Sequence, residues 1–302
     1  VDRDLVGYGA DVPVAPWPDG ARVAVSLVIN YEEGSERTFP NDGTNEALGE
    51  TDRPVGNRRN LGVESVYEYG SRAGIHRLLR LLARYSIPAT FFAAAVALER
   101  NPEVARAIIE GGHEVCGHGW RWSEDWLVSP AEQAERIRQA VASIEQTCGE
   151  RPVGWYSRWM PSEETRRLLV EEGGFLYDSD AYNDDLPYYV RVGALDHLVI
   201  PYTLTYNDAR FVDGGIGGPA EFFALCAGAL DYLLEEGDTA PRMLSIGLHA
   251  RLSGQAGRAA AVRDLIEHAS SKSGVWFARR RDIAERWRAA YPPTASADKE
   301  NA

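Results

Sequence analysis

The chain has 302 residues, 44% of them hydrophobic, and carries 45 acidic against 32 basic side chains for a formal net charge of −13. That apolar share supplies one large core, while the acidic balance excludes nucleic acid or an anionic membrane as the main partner. Three cysteines without CxxC spacing give neither a disulfide framework nor a thiolate metal site, and no run reaches eighteen apolar residues, so no membrane span is expected.

The first segments, VDRDLVGYGAD, are polar and lack the apolar centre of a signal peptide, which makes the cytoplasm the simpler location. Val23 to Tyr31 is an apolar run rich in β-branched residues and reads as a buried strand ending in two adjacent carboxylates, Glu32 and Glu33. The stretch 35–60, dense in Gly, Asn, Asp, Pro and charges, is too long for a plain connection. Helical periodicity returns in GIHRLLRLLARY, Pro88 ends it, and ATFFAAAV follows as a second buried strand. Asn101 and Pro102 open a helix as N-cap and first residue. HEVCGHG is then a short strand running into a polar turn. Ser129 and Pro130 start a helix to about Cys148, PVGWY is a strand, and SEETRRLLVEEG is a helix. FLYDSD, HLVIPYTL, MLSIGLH and GVWFA supply the remaining strands, interleaved with three more helices. Arg279, Arg280 and Arg281 read as a helix surface.

About seven strands alternating with helices imply a parallel α/β sheet, closed into a barrel or open. With no linker, repeat or low-complexity tract, residues 1–302 are expected to form one domain, its core spanning about 20–290. Polar clusters follow the strands: Glu32–Glu33, His118, Arg158, Asp178–Asp185 and His249. Groups at the carboxyl ends of parallel strands face the active-site mouth. Two neighbouring acids there can repel, hold a cation or keep one member protonated, although a solvated acidic loop is the bland alternative. His249 suits proton transfer to a leaving nitrogen or from water. Arg251 would align with it along an extended backbone, and its paired N–H donors suit a carboxylate or planar amide. His118 fits a metal ligand, a general acid or a substrate donor. Position 122, where a paired histidine would complete a metal site, is tryptophan. Four aspartates in DSDAYNDDLP are either a hydrated loop or partners for Arg158, Arg251 or His249.

With these residues in view, the sequence resembles the polysaccharide deacetylase superfamily over roughly 20–290. The resemblance rests on INYEEG, on His118 with Trp122 in the place of a second histidine, on SRWMP, on PATFF at 88–92 and on Leu248–His249. Within it, YEYGSRAG, HGWRW, EEGGFLYDSD, DDLPYY, HLVIPYTL and MLSIGLHAR resemble the bacterial allantoinase subgroup. The resemblance implies a single distorted (β/α) barrel of about seven parallel strands and a hydrolase of non-peptide carbon–nitrogen bonds opening a small cyclic amide such as allantoin. The alternative is a metal-dependent deacetylase of N-acetyl sugars. Glu32 matches the catalytic base, Arg158 the arginine that orients it and His249 the catalytic histidine. Glu33, His118, Trp122, Asp184, Asp185 and Arg251 are the expected substrate-binding set. No cofactor is expected. Zinc or another divalent cation would enter under the deacetylase alternative, with Glu33 and His118 as its ligands. The subgroup also implies a homo-oligomer, a tetramer by resemblance.

Overall fold

The computed structural model describes residues 3–48 and 55–293; the 49–54 part of the long polar stretch lies outside the described residues, as do 1–2 and 294–302. Nine strands are present among them: β1 Val23–Tyr31, β2 Thr90–Ala93, β3 Glu114–Gly117, β4 Gly154–Trp155, β5 Tyr177–Asp178, β6 Tyr188–Val192, β7 Leu195–Val199, β8 Arg242–His249 and β9 Val275–Phe277. They form one curled sheet in the order β6-β7-β5-β4-β3-β2-β1-β8. All pairs are parallel except the β6–β7 hairpin.

β8 lies along β1 from Val23 to Asn30, so the opposite edge of β1 must serve two partners. β9 takes it over Val23–Val25 and β2 over Val28–Tyr31. The sheet stays a half-barrel. The free edge of β8 is covered by loop backbone, with Met243 N–H donating to Asp185, Gly247 N–H to Tyr206, and Asn207 bridging Gly247.

The period-two alternation of a strand divides the residues between two apolar layers. Val25, Leu27, Ile29 and Tyr31 of β1, with Leu244, Ile246 and Leu248 of β8, face the surrounding helices. Ala24, Val28, Phe92, Cys116, Tyr177, Leu198, Tyr202 and Met243 fill the concave side. Trp17 and the helix Arg280–Ala290, through Ile283, Ala284 and Trp287, pack against that inner layer.

Most expected elements form where the sequence places them. The helix Pro102–Glu110 is capped by Asn101, whose side chain accepts from Val104 N–H. The helix Pro130–Cys148 is capped in the same way by Ser129. ATFFAAAV divides instead: the strand stops at Ala93, and Ala95–Arg100 is helical. The sheet gains β6, which the alternating helix–strand pattern did not show, because a hairpin needs no crossover helix. The arginine run is a surface only in part, Arg279 and Arg281 being half-buried and paired with Asp282 and Glu150. Arg280 is fully buried, donating to Ser179 and Ser245 hydroxyls and to the Ile200 and Pro201 carbonyls. Among the described residues no helix is long and apolar enough to cross a membrane.

Candidate active site

Strand register brings the site together. Tyr31, Ala93 and Gly117 stand level across β1, β2 and β3, so Glu32 and His118 leave the sheet at one height, two strands apart. Neighbouring strands are about 4.8 Å apart, and only the small Ala94 lies between, so the two long side chains meet. His249 ends β8 opposite Asn30. Glu32 continues the inward parity of Ala24, Val28 and Asn30, His118 that of Cys116, and His249 that of Met243.

Glu32 is the hub. It is 1% exposed; Oε2 accepts from the Arg251 guanidinium at 2.6 Å, and Oε1 lies 3.3 Å from His118 Nε2 and 3.8 Å from His249 Nε2. Each imidazole is pinned from behind. His118 Nδ1 is 2.7 Å from the Tyr156 carbonyl, which only accepts, so Nδ1 carries the hydrogen. His249 Nδ1 is 2.6 Å from Asp208 Oδ1. The other Asp208 oxygen takes His249 N–H, Ser253 N–H and the Ser253 hydroxyl. Both histidines therefore present Nε2 to one carboxylate oxygen. Burial pushes Glu32 up, yet Arg251 first, then His249 and His118, outweigh it and hold the carboxyl well below the usual range.

Arg251 reaches Glu32 because β8 stops at His249 and Ala250–Ser253 is a helical turn; it does not continue an extended strand. Its guanidinium stacks on Tyr67 at 4.5 Å and lies 5.3 Å from the Trp122 ring centre. Its Nε–H has no hydrogen-bond partner among the described residues. Tyr67 is delivered by the helix Leu61–Tyr69, which widens into a π turn at Gly70–Gly74. That turn packs so closely that a Cβ at Gly70 would stand 2.3 Å from Glu33 Oε1, and one at Gly74 2.1 Å from the Ala250 carbonyl.

Above Glu32 opens a cavity of about 740 Å³, also lined by Asn30, His118, Trp122, Tyr156, Trp159, Tyr202, Asn207, His249 and Arg251. Arg37, Glu46 and Leu48 show that the described part of the long polar stretch walls it too, as do Leu204 and Val212.

Four expected site residues lie elsewhere. Arg158 is buried behind Trp122 and Trp159, its guanidinium 3.7 and 4.2 Å from their ring centres, donating to Glu46 and the Trp122 carbonyl. It makes no contact with Glu32, and Arg251 holds that carboxylate instead. Glu33 has outward parity, and its oxygens accept Glu32 N–H and Arg251 N–H; it lines a separate cleft with Glu36 and Arg72. Asp184 and Asp185 line a polar cleft against Tyr206 and Met243, with Asp184 accepting from Leu186 N–H. Glu32, His118, Trp122, His249 and Arg251 do converge. Sequence reasoning missed Asp208, Tyr202, Asn207, Glu46 and Trp159. Only Asn207–Asp208 carried a local signal, an Asx turn in which Asn207 accepts from Ala209 N–H.

A divalent cation does not fit this donor set. Both Glu33 oxygens are committed to backbone N–H groups, Trp122 offers no ligand, and the Arg251 guanidinium stands 2.6 Å from Glu32 and 3.7 Å from Glu33. A second cation beside it would meet like charge in a buried site.

A half-barrel with acids and histidines at its strand ends places acid–base groups suited to hydrolysis at one rim. The chain belongs to the polysaccharide deacetylase family. It matches the polysaccharide deacetylase family model over residues 59–167. A Schizosaccharomyces pombe protein named for polysaccharide deacetylation is 40% identical over 317 residues, covering 96% of this chain and 98% of its own. A Pseudomonas aeruginosa PAO1 crystal structure, also named for polysaccharide deacetylation, shares 48% identity with a TM-score of 0.92, covering 97% of this chain and 99% of that one. The crystal structure of PuuE allantoinase shares 47% identity with a TM-score of 0.93, covering 97% and 100%.

Proposed function

We propose that the chain hydrolyses a carbon–nitrogen bond of a small cyclic amide such as allantoin, using Arg251 where a deacetylase would use a metal. The observation that carries the reading is the Arg251–Glu32 pair beneath two imidazoles that present Nε2. The 47% identity with PuuE allantoinase supports it.

Glu32 and Arg251 change partners as the substrate enters. The ring carbonyl competes for the guanidinium, and developing oxyanion charge strengthens that bond; one such donor is worth about 2.7–4 kcal/mol. Loosened from Arg251, Glu32 loses the charge that held its carboxyl low and becomes a competent base. Water adds to the carbonyl carbon as its proton passes to Glu32. His249 then donates from Nε2 to the ring nitrogen as the carbon–nitrogen bond breaks. Glu32 returns its proton across the 3.8 Å separation to His249, which restores the site. His118 donates to the oxyanion when Nε2 is protonated.

The test pairs elemental analysis of the purified protein with hydrolysis of allantoin, a cyclic imide and chitin oligomers, with and without chelator. Ring opening that survives chelator, and that Glu32→Gln and His249→Ala each reduce by orders of magnitude, is the expected result. Stoichiometric zinc with chelator-sensitive acetate release would overturn the reading in favour of a deacetylase.

A further inference from the structure

Trp159 is held in a conformation its side chain disfavours. Its φ is +60°, where a bulky residue is a genuine outlier. The two other non-glycine residues with positive φ among the described ones are Asp19 and Ser86, small side chains in a turn and at a helix end. Trp159 is the bulky one, at the centre of a tight three-residue turn. Its backbone is fixed by Met160 N–H donating to the Arg158 carbonyl at 2.7 Å and by the Tyr182 hydroxyl donating to its own carbonyl at 3.1 Å.

The conformation places the indole between two environments. On one side it closes a stack of Trp122, Arg158 and Trp159, with Trp126 6.0 Å away. On the other it lines the catalytic cavity and remains 52% exposed. Leu204 and Val212, from a different segment, also line the cavity and are exposed. An apolar rim thus surrounds a floor of charged and hydrogen-bonding groups. Strained residues persist where the surroundings over-determine them, and they cluster at ligand clamps.

We infer that Trp159 is a specificity-determining residue whose indole stacks on the flat face of a planar amide ring while the ring's carbonyl reaches Arg251. The inference rests on the cyclic-amide reading. An exposed indole offers a rigid, amphipathic face suited to a flat ring.

The experiment measures kcat, KM and Tm for the native chain and for Trp159→Phe, Trp159→Ala and Trp159→Gly with allantoin. It adds calorimetric allantoin binding in the Glu32→Gln background with and without Trp159→Ala. Expected are a KM about tenfold higher in the Ala and Gly variants with kcat within a factor of three, near-native KM for Phe, and a Tm for Gly equal to or above that of Ala, since glycine accepts φ +60° without strain. The KM and binding readouts separate roles, because a merely structural indole would lower Tm when removed without raising KM at constant kcat or weakening binding. Unchanged KM and binding in the Ala variant would overturn the inference while leaving ring hydrolysis standing. Trp159-dependent binding without turnover by the native chain would support the inference and sink the hydrolysis reading.

Discussion

Asp208→Asn is the sharpest probe of the proton relay, because the structure dictates how the new amide must sit. Oδ2 of Asp208 accepts three donors: His249 N–H at 2.8 Å, Ser253 N–H at 3.1 Å and the Ser253 hydroxyl at 2.6 Å. An NH2 group there would face two fixed N–H donors, so the asparagine oxygen takes that place. Its NH2 is then turned onto His249 Nδ1, 2.6 Å away in the native protein. Nδ1 must become an acceptor, and the hydrogen of the neutral imidazole moves to Nε2. The ring loses a charge-assisted bond worth about 1.5–3 kcal/mol, alone about ten- to 150-fold in rate. It also loses stabilisation of the imidazolium that, in the proposed reaction, donates to the leaving nitrogen. The same exchange in a serine-protease triad costs about four orders of magnitude, so a kcat loss of about 10²- to 10⁴-fold is expected here. The assay is steady-state hydrolysis of allantoin, with circular dichroism to confirm the fold and 15N spectra of the imidazoles to read the tautomer. A folded variant with kcat within threefold of native, or with hydrogen still on Nδ1, would refute the reasoning.

Glu33 gives a stability prediction with a definite sign. Burial, opposed by Arg251 and reinforced by the Glu32 charge, pushes its carboxyl up to about 7 from an ordinary 4.5. The folded chain therefore keeps a proton that the unfolded chain releases, and this contribution, fully present below about pH 4.5, is lost as pH rises to about 7. At about 1.4 kcal/mol per pH unit the change is on the order of 3 kcal/mol. Urea denaturation should show the advantage of the native chain over Glu33→Gln shrinking by that order between pH 4.5 and 7.5; parallel profiles would contradict it. Gly70→Ala should lower Tm by a few degrees although Gly70 has helical φ and ψ and alanine favours a helix, because the added Cβ would stand 2.3 Å from Glu33 Oε1. A Tm at or above native would show that Glu33 has room to move.

The parts of this site legible in the sequence are those fixed by local pattern. A β-branched run ending in Glu32 and a strand ending in His249 announce both position and direction, since parallel strands deliver their carboxyl ends to one rim. Parity along β1 assigns Glu32 inward and Glu33 outward once the strand is accepted, and the separate clefts the two line follow from that. What the sequence could not show depends on contacts distant in the chain. Arg158 follows a strand as expected, but its partner is Glu46, 112 positions away, and that pairing turns it behind Trp122. Arg251 reads as part of an extended backbone, whereas one helical turn carries it to Glu32, 219 positions away. Arg280 reads as a charged helix surface because its neighbours are charged. Its acceptors are hydroxyls and carbonyls from β8 and from the residues following β5 and β7, which only the curled sheet collects.

The charges around the cavity are balanced before any ligand arrives. Arg251 offsets Glu32, Asp208 faces His249, and Glu46 with Glu124 answers Arg158 and Arg37. Burying a charge without its partner costs several kcal/mol, so this arrangement disfavours a ligand that brings net charge and needs one of these pairs broken. A neutral amide ring asks for less. In the proposed reaction its carbonyl would borrow a guanidinium donor from Glu32, its face would lie on the Trp159 indole, and charge would appear only as the carbonyl becomes an oxyanion. That would be the moment at which Arg251 is free to meet it, and stabilisation realised mainly in the transition state is what raises turnover rather than mere binding.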